Sequence, residues 1–201
     1  LVSLQRGTCR VRDLKVGAML KTVDGHSSTL RWMYGRPLNS WELLANPKLR
    51  PVRITAGSLG QDLPKRDLLV SRQHRMLVSS KIAERMFESS EVLVAAIKLT
   101  ELPGIFVDDS VDEIEYFHLV LDQHELVFAE GAPTESLLFG PEAWNAISEE
   151  AKCELFDLFP ELAEPNYSPE PARFIPKNAR QKTLVARHLS NNKPLLSAAP
   201  R

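Results

Sequence analysis

The sequence predicts an all-β, antiparallel, strongly coiled body over residues 1–140, followed by a helical C-terminal extension over residues 141–201. Three observations lead there. Short runs rich in Val, Leu, Ile and aromatic residues alternate with turn residues up to Gly140. No helices of the βαβ type separate those runs. Beyond Gly140 the apolar spacing changes to that of an amphipathic helix.

In chain order, the strand-type runs are LVSL (1–4), AMLKTV (18–23), TLRWMYG (29–35), PVRITAGSL (51–59) and DLLVS (67–71). HRMLVSS (74–80), EVLVAAIKL (91–99) and YFHLVL (116–121) complete the series. Arg6-Gly7, Asp24-Gly25, Pro103-Gly104 and Asp108-Asp109 supply turns between them. Val11, Leu14 and Val16 read as core anchors around the DLKVG turn, and KIAERMF (81–87) as a short helical piece. After Gly140, Pro141 sits at a helix start. Ser148 precedes Glu149 and Glu150 as an N-cap, and Leu155, Leu158, Phe159 and Leu162 follow at helical spacing. This helix is expected to lie on the β body. AEPNYSPEPARFIP (163–176) reads as an extended, proline-rich connector, and KNARQKTLVARHLSNN (177–192) as a basic helix with a solvated His188. KPLLSAAPR (193–201) reads as a frayed tail.

The 201 residues suffice for a self-sustaining core. With 25 basic residues against 26 acidic, no global field favours nucleic acid or an anionic membrane. No apolar run reaches the roughly 20 residues of a membrane span. Cys9 and Cys153 show neither metal spacing nor a disulfide framework, so the redox compartment stays open, and the sequence leaves localisation and oligomeric state open too. The chain opens without methionine and already inside a strand-like pattern, so further chain is expected upstream of Leu1.

Of the 5 histidines, His74 stands three residues after Ser71 in LLVSRQHRMLV, where an apolar run turns polar and then apolar again. On spacing alone this reads first as a surface histidine on a half-buried strand, because S-x-x-H is common by chance. His118 and His124 are six apart. One continuous strand would turn them to the same face, whereas a turn at Asp122-Gln123 would set them on facing strands. Zinc held by His74, His118 and His124 is a third reading, but no H-x-H, H-E-x-x-H or C-x-x-C pattern supports it. Ser136, beside Glu135, lacks the G-x-S-x-G context of a hydrolase elbow.

The ordered blocks GTCRVRDLKVG (7–17), DG…LRWMYGR (24–36), PVRITAGSLG…LPKRDLLVSRQHRMLV (51–78), EVLVAAIKL (91–99) and EYFHLVLDQHELVFAEGAPTESLLFG (115–140) resemble the Hint domain. More narrowly, they are similar to its bacterial members related to hedgehog autoprocessing domains and inteins. The resemblance implies a compact, horseshoe-like β fold. It also implies self-processing, in which a first-position cysteine attacks the preceding carbonyl and turns a peptide bond into a thioester. The substrate would be the domain's own upstream segment, with no cofactor, no metal and no nucleic acid. Ser71-x-x-His74 matches the family's Thr-x-x-His, which makes His74 the implied acid/base and Ser71 its orienter. Tyr116, His118 and His124 fall on the polar positions of the closing motif, with Ser136 lining the same cleft.

Two departures matter. Glu135-Ser136 stands where inteins carry His-Asn, so asparagine cyclisation has no reacting amide. No cysteine stands at the first position either; Cys9 falls past the Gly7 turn, inside a second strand, and the nucleophile is expected upstream of Leu1. The rival expectation is a Hint-like module that has lost its chemistry and serves binding or structure.

Overall fold

The computed structural model describes residues 1–140, 144, 147–164 and 166–197. Thirteen strands are described: β1 (Val2–Ser3), β2 (Thr8–Cys9), β3 (Met19–Lys21), β4 (Ser27–Thr29), β5 (Trp32–Leu38), β6 (Val52–Ile54), β7 (Leu68–Val70), β8 (Arg75–Ser79), β9 (Glu91–Ala95), β10 (Ile105–Val107), β11 (Ile114–Val120), β12 (Leu126–Ala129) and β13 (Ala132–Glu135). Every pairing between them is antiparallel. The largest sheet has the order β2-β1-β12-β13-β8-β9, beside β10-β6-β7 and the ribbons β11-β5 and β3-β4.

The body is therefore strand-rich and antiparallel, but not built of strands alone. Helices α1 (Ser40–Ala45), α2 (Lys81–Phe87) and α3 (Ala96–Leu99) interrupt it. The run 91–99, expected as one strand, divides at Ala95. The cause is local: the N–H groups of Ala96 and Ile97 donate to the carbonyls of His74 (2.9 Å) and Arg72 (3.0 Å), so the 72–74 turn caps the start of α3 instead of a ladder continuing. α2 matches KIAERMF, with the Ser80 hydroxyl accepting from the Ala83 N–H as its N-cap. Leu14 is buried as expected, whereas Val16 is 64% exposed on the turn before Gly17.

The C-terminal residues complete the same cores. In α4 (Glu149–Leu158), capped by Ser148 as its sequence indicates, Ala151 and Leu155 join Phe159 and Leu162 against Trp32 and Val120. Leu158 flanks this stripe and stays 46% exposed. Pro141 and its expected helix start lie outside the described residues. From α5 (Asn178–Ser190), Leu184 and Val185 enter the main core with Val52, Ile54, Met76 and Val92.

Two expectations for this region are corrected. The tail is not frayed up to Ser197: Leu195 and Leu196 are buried in that core, and Leu196 and Ser197 hydrogen-bond to Leu59 and Ser79. Two large apolar side chains explain this, since burying each gains roughly 1.5–3 kcal/mol. His188 is not solvated but 1% exposed. It donates from Nδ1 to the Lys193 carbonyl (3.1 Å) and accepts at Nε2 from the Ser80 hydroxyl (3.0 Å). Burial depresses its basicity more than the carbonyls of Lys193 and Pro194 restore it.

Candidate functional site

His74 sits in the turn between β7 and β8, not within a strand, and its backbone is held from two sides. Its N–H donates to the Ser71 carbonyl (3.1 Å), and its own carbonyl accepts from Ala96. The turn is thereby fastened to both β7 and α3, and β8 carries on from it as a central strand of the large sheet. The imidazole Nε2 meets the hydroxyl of Thr134, on the neighbouring β13. That hydroxyl also donates to the Arg75 carbonyl at 3.2 Å. A hydroxyl has a single proton to give; with that proton on the Arg75 carbonyl, Thr134 accepts from Nε2–H, which leaves the neutral ring's lone pair on Nδ1. Nδ1 has no hydrogen-bond partner among the described residues.

The hydroxyl beside the imidazole is thus that of Thr134. Ser71 touches His74 through its carbonyl; its side chain makes no hydrogen bond among the described residues. Nothing in the S-x-x-H spacing reveals this, because the contact runs from the β7–β8 turn to β13, sixty residues on. The available signal was a buried hydroxyl residue in a short apolar hairpin, two positions before Ser136.

Next along β13, Glu135 is buried and ionised. Its carboxylate accepts from the Arg75 N–H (2.8 Å) and from the Arg75 guanidinium (3.0 and 3.3 Å). The imidazole of His124 stands with Nε2 at 3.4 Å from Oε2. Burial works against the charged carboxylate, but His124, His74 and Arg75 outweigh it and hold Glu135 below the usual range. His74 in turn is pushed below 6.5, chiefly by burial, with the Glu135 charge opposing and Arg75 and His124 assisting. At neutral pH the cluster is a neutral imidazole within the electrostatic reach of a fixed carboxylate.

His118 and His124 fulfil neither expected arrangement. β11 ends at Val120 and a turn at Asp122-Gln123 intervenes, but β12 then pairs with β1 and β13, not with β11. His118 pairs with Tyr34 across the β11–β5 ribbon and stacks on its ring, the centroids 6.2 Å apart. Burial, then His74 and Arg36, depress His118 to about 4. His74, His118 and His124 thus share one electrostatic neighbourhood. Ser136 lies at its margin: its hydroxyl accepts from the Glu125 N–H (2.9 Å), and its own N–H donates back to the Glu125 carbonyl (2.8 Å). The Tyr116 hydroxyl donates to the Leu49 carbonyl at 2.8 Å. Among the described residues, no group of three or more His, Cys, Asp or Glu side chains could hold a metal ion, and no helix is long and apolar enough to cross a membrane.

Glu130 and Gly131, both with positive φ (50° and 78°), make the two-residue turn that sets the β12–β13 register and brings Thr134 and Glu135 beside β8. This AEGAPTES hairpin and the RQHR turn are the two blocks that the sequence marks most strongly. A family model described as the Hint domain matches residues 1–141. The chain belongs to the Hint family. No curated protein matches it. The Hint family includes autoprocessing members. Cys9 is the only cysteine within the matched residues. It lies on β2 at the rim of the large sheet, its thiol turned to the Arg10 carbonyl at 3.3 Å.

Proposed function

We propose that this Hint domain processes its own N-terminal junction by an N-to-S acyl shift, using a cysteine upstream of Leu1. The thiol sulfur adds to the carbonyl carbon of the preceding residue, the C–N bond breaks, and a thioester forms. The thiol proton ends on the released amine. His74 carries it: a neutral ring takes a proton, and the resulting imidazolium returns it to the leaving nitrogen through Nδ1. The observation that carries this reading is the state of His74. Its backbone is fixed, Nε2 is satisfied by Thr134, Nδ1 is unpartnered among the described residues, and the Glu135 carboxylate stands ready to stabilise a positive ring. A rigidly held acid/base matters because a displacement of about 1 Å can cost about a hundredfold in rate. His118, His124 and Ser71 shape the surroundings, and Ser136 closes the hairpin.

The test uses the chain with its native upstream sequence. Hydroxylamine should release an N-terminal fragment, and His74→Ala should slow release by ~10²-fold or more, the scale of a lost general acid/base. Release at the parental rate from His74→Ala would give the motif a structural role only. A parent from which neither thiol nor hydroxylamine releases a fragment would make the domain a binding or structural module.

A further inference from the structure

The family match ends at residue 141, yet a residue far beyond it touches the site. The backbone N–H of Ala172 donates to Nδ1 of His124 at 2.9 Å, and the His124 side chain is 3% exposed. A ring nitrogen that accepts a hydrogen bond bears no proton, so the neutral ring carries its proton on Nε2. Nε2 lies 3.4 Å from Oε2 of Glu135, close enough for electrostatic attraction but outside hydrogen-bond geometry, and has no hydrogen-bond partner among the described residues. The opposite tautomer would set N–H against N–H at Ala172 and a lone pair against the carboxylate, so both contacts select the same form.

Ala172 is itself held firmly. The guanidinium of Arg173 bonds to Glu91 and Asp24 and returns to the Ala172 carbonyl at 2.8 Å. The Phe174 carbonyl accepts from the Leu93 N–H at 2.9 Å, which moors the connector along β9. Ala172 and Ile175 pack on Leu77, Leu93 and Leu126. The proline-rich segment, read from the sequence as an extended connector, is docked where it passes His124.

We infer that Ala172 is a positioning residue for the processing site: its N–H fixes the Nε2–H tautomer of His124 and aims that proton at Glu135. This rests on the processing reading for its effect on rate, but the tautomer itself does not. With the proton so placed, the His124 ring turns an N–H dipole toward the carboxylate that Arg75 binds, within the electrostatic reach of His74. The C-terminal extension is then part of the site.

The first measurement is ¹⁵N–¹H correlation of the imidazoles in the full chain at neutral pH. His124 should show an unprotonated Nδ1 and a protonated Nε2; a proton on Nδ1 would overturn the inference. The second compares Ala172→Gly, which keeps the N–H, with Ala172→Pro, which removes it. Glycine should retain the tautomer and the rate of hydroxylamine release. Proline should give mixed tautomers and slow release by about tenfold, the scale on which small displacements of an acid/base cluster lower the rate. Should Ala172→Pro lose the parental near-UV circular dichroism, Arg173→Ala, which loosens the clamp, takes its place with the same expectation. An altered tautomer with unchanged release would overturn the positioning role. A parent that releases nothing defeats the processing reading, and the tautomer alone then decides whether Ala172 orders the cluster.

Discussion

Lowering the pH from 7.5 to 5 should destabilise the protein through His118, and the size of the effect follows from its surroundings. The ring stacks on Tyr34, is largely buried, and lies near the cationic Arg36 and near His74. It titrates near 6.5 when unfolded and at about 4 when folded. Between those values the unfolded chain binds more protons, so stability is fully present above pH 6.5 and is lost as the pH falls toward 4. At about 1.36 kcal/mol per pKa unit the whole gap is worth about 3 kcal/mol, of which about 2 kcal/mol is gone by pH 5. A urea slope of about 2 kcal/mol per molar turns this into a midpoint lowered by about 1 M.

The comparison that isolates His118 is His118→Phe, which keeps an aromatic ring against Tyr34 and removes the titration. His74 and His188 are also depressed, so both proteins should lose stability in acid. The parent should lose about 2 kcal/mol more than the variant between pH 7.5 and 5. Urea titrations followed by tryptophan fluorescence at half-unit pH steps give the difference directly. Parallel pH profiles for the two proteins would refute the placement of His118 in a dry site beside other cations.

Thr134→Val keeps the shape of a buried side chain but leaves His74 Nε2 and the Arg75 carbonyl without their shared hydroxyl. Stability should fall by about 1–3 kcal/mol, read as a lower melting temperature, and hydroxylamine release should slow; an unchanged protein on both counts would make the contact irrelevant. Residues 136–201 should remain joined to the body after long incubation with thiol, because Ser136 has no side-chain amide and its hydroxyl is engaged by Glu125. Intact mass checks this, and a new N-terminus at Ser136 or Leu137 in protease-free protein would contradict it.

Much of the body was legible because its signals are local. Turn pairs such as Asp24-Gly25 separate short β-branched runs, and Ser80 and Ser148 cap helices that begin where their sequences indicate. What escaped was set by distant partners. The run 91–99 has strand-type residues throughout, and only the carbonyls of Arg72 and His74 turn its end into a helix. LeuLeu in the tail looks like two residues before a chain end until the groove beside Leu59 and Ser79 receives it. The candidate site divides in the same way. His74 and the closing hairpin were visible as motifs, whereas the partner of His74 depended on strand register: Thr134 reaches it because Met76 pairs with Thr134 across β8 and β13. Glu135, in sequence no more than a residue where the resemblance implies histidine, is set in its environment by Arg75 and His124.

The pair Glu135-Ser136, standing where the resemblance to inteins implies His-Asn, and the docking of the extension have a common physical logic. A carboxylate at 135 can be buried only if cations and N–H donors surround it, and here the Arg75 N–H and guanidinium meet that need, with the His124 ring, held by the Ala172 N–H, 3.4 Å away. Ala172 belongs to chain that would depart if the junction at Ser136 were cut. The same cut would strip Leu184, Val185, Leu195 and Leu196 from the main core and Leu155, Phe159 and Leu162 from the face of Trp32. Trp32 would also lose the carboxylate of Glu154, to which its indole N–H donates at 2.8 Å. Buried side chains of this size contribute roughly 1.5–3 kcal/mol each, so losing all seven would remove roughly 10–20 kcal/mol, as much as the roughly 5–15 kcal/mol by which a folded domain is stable. A Hint body built on these contacts has every reason to keep its C-terminal junction closed, and the residues at 135 and 136 supply neither the amide nor the imidazole that would open it.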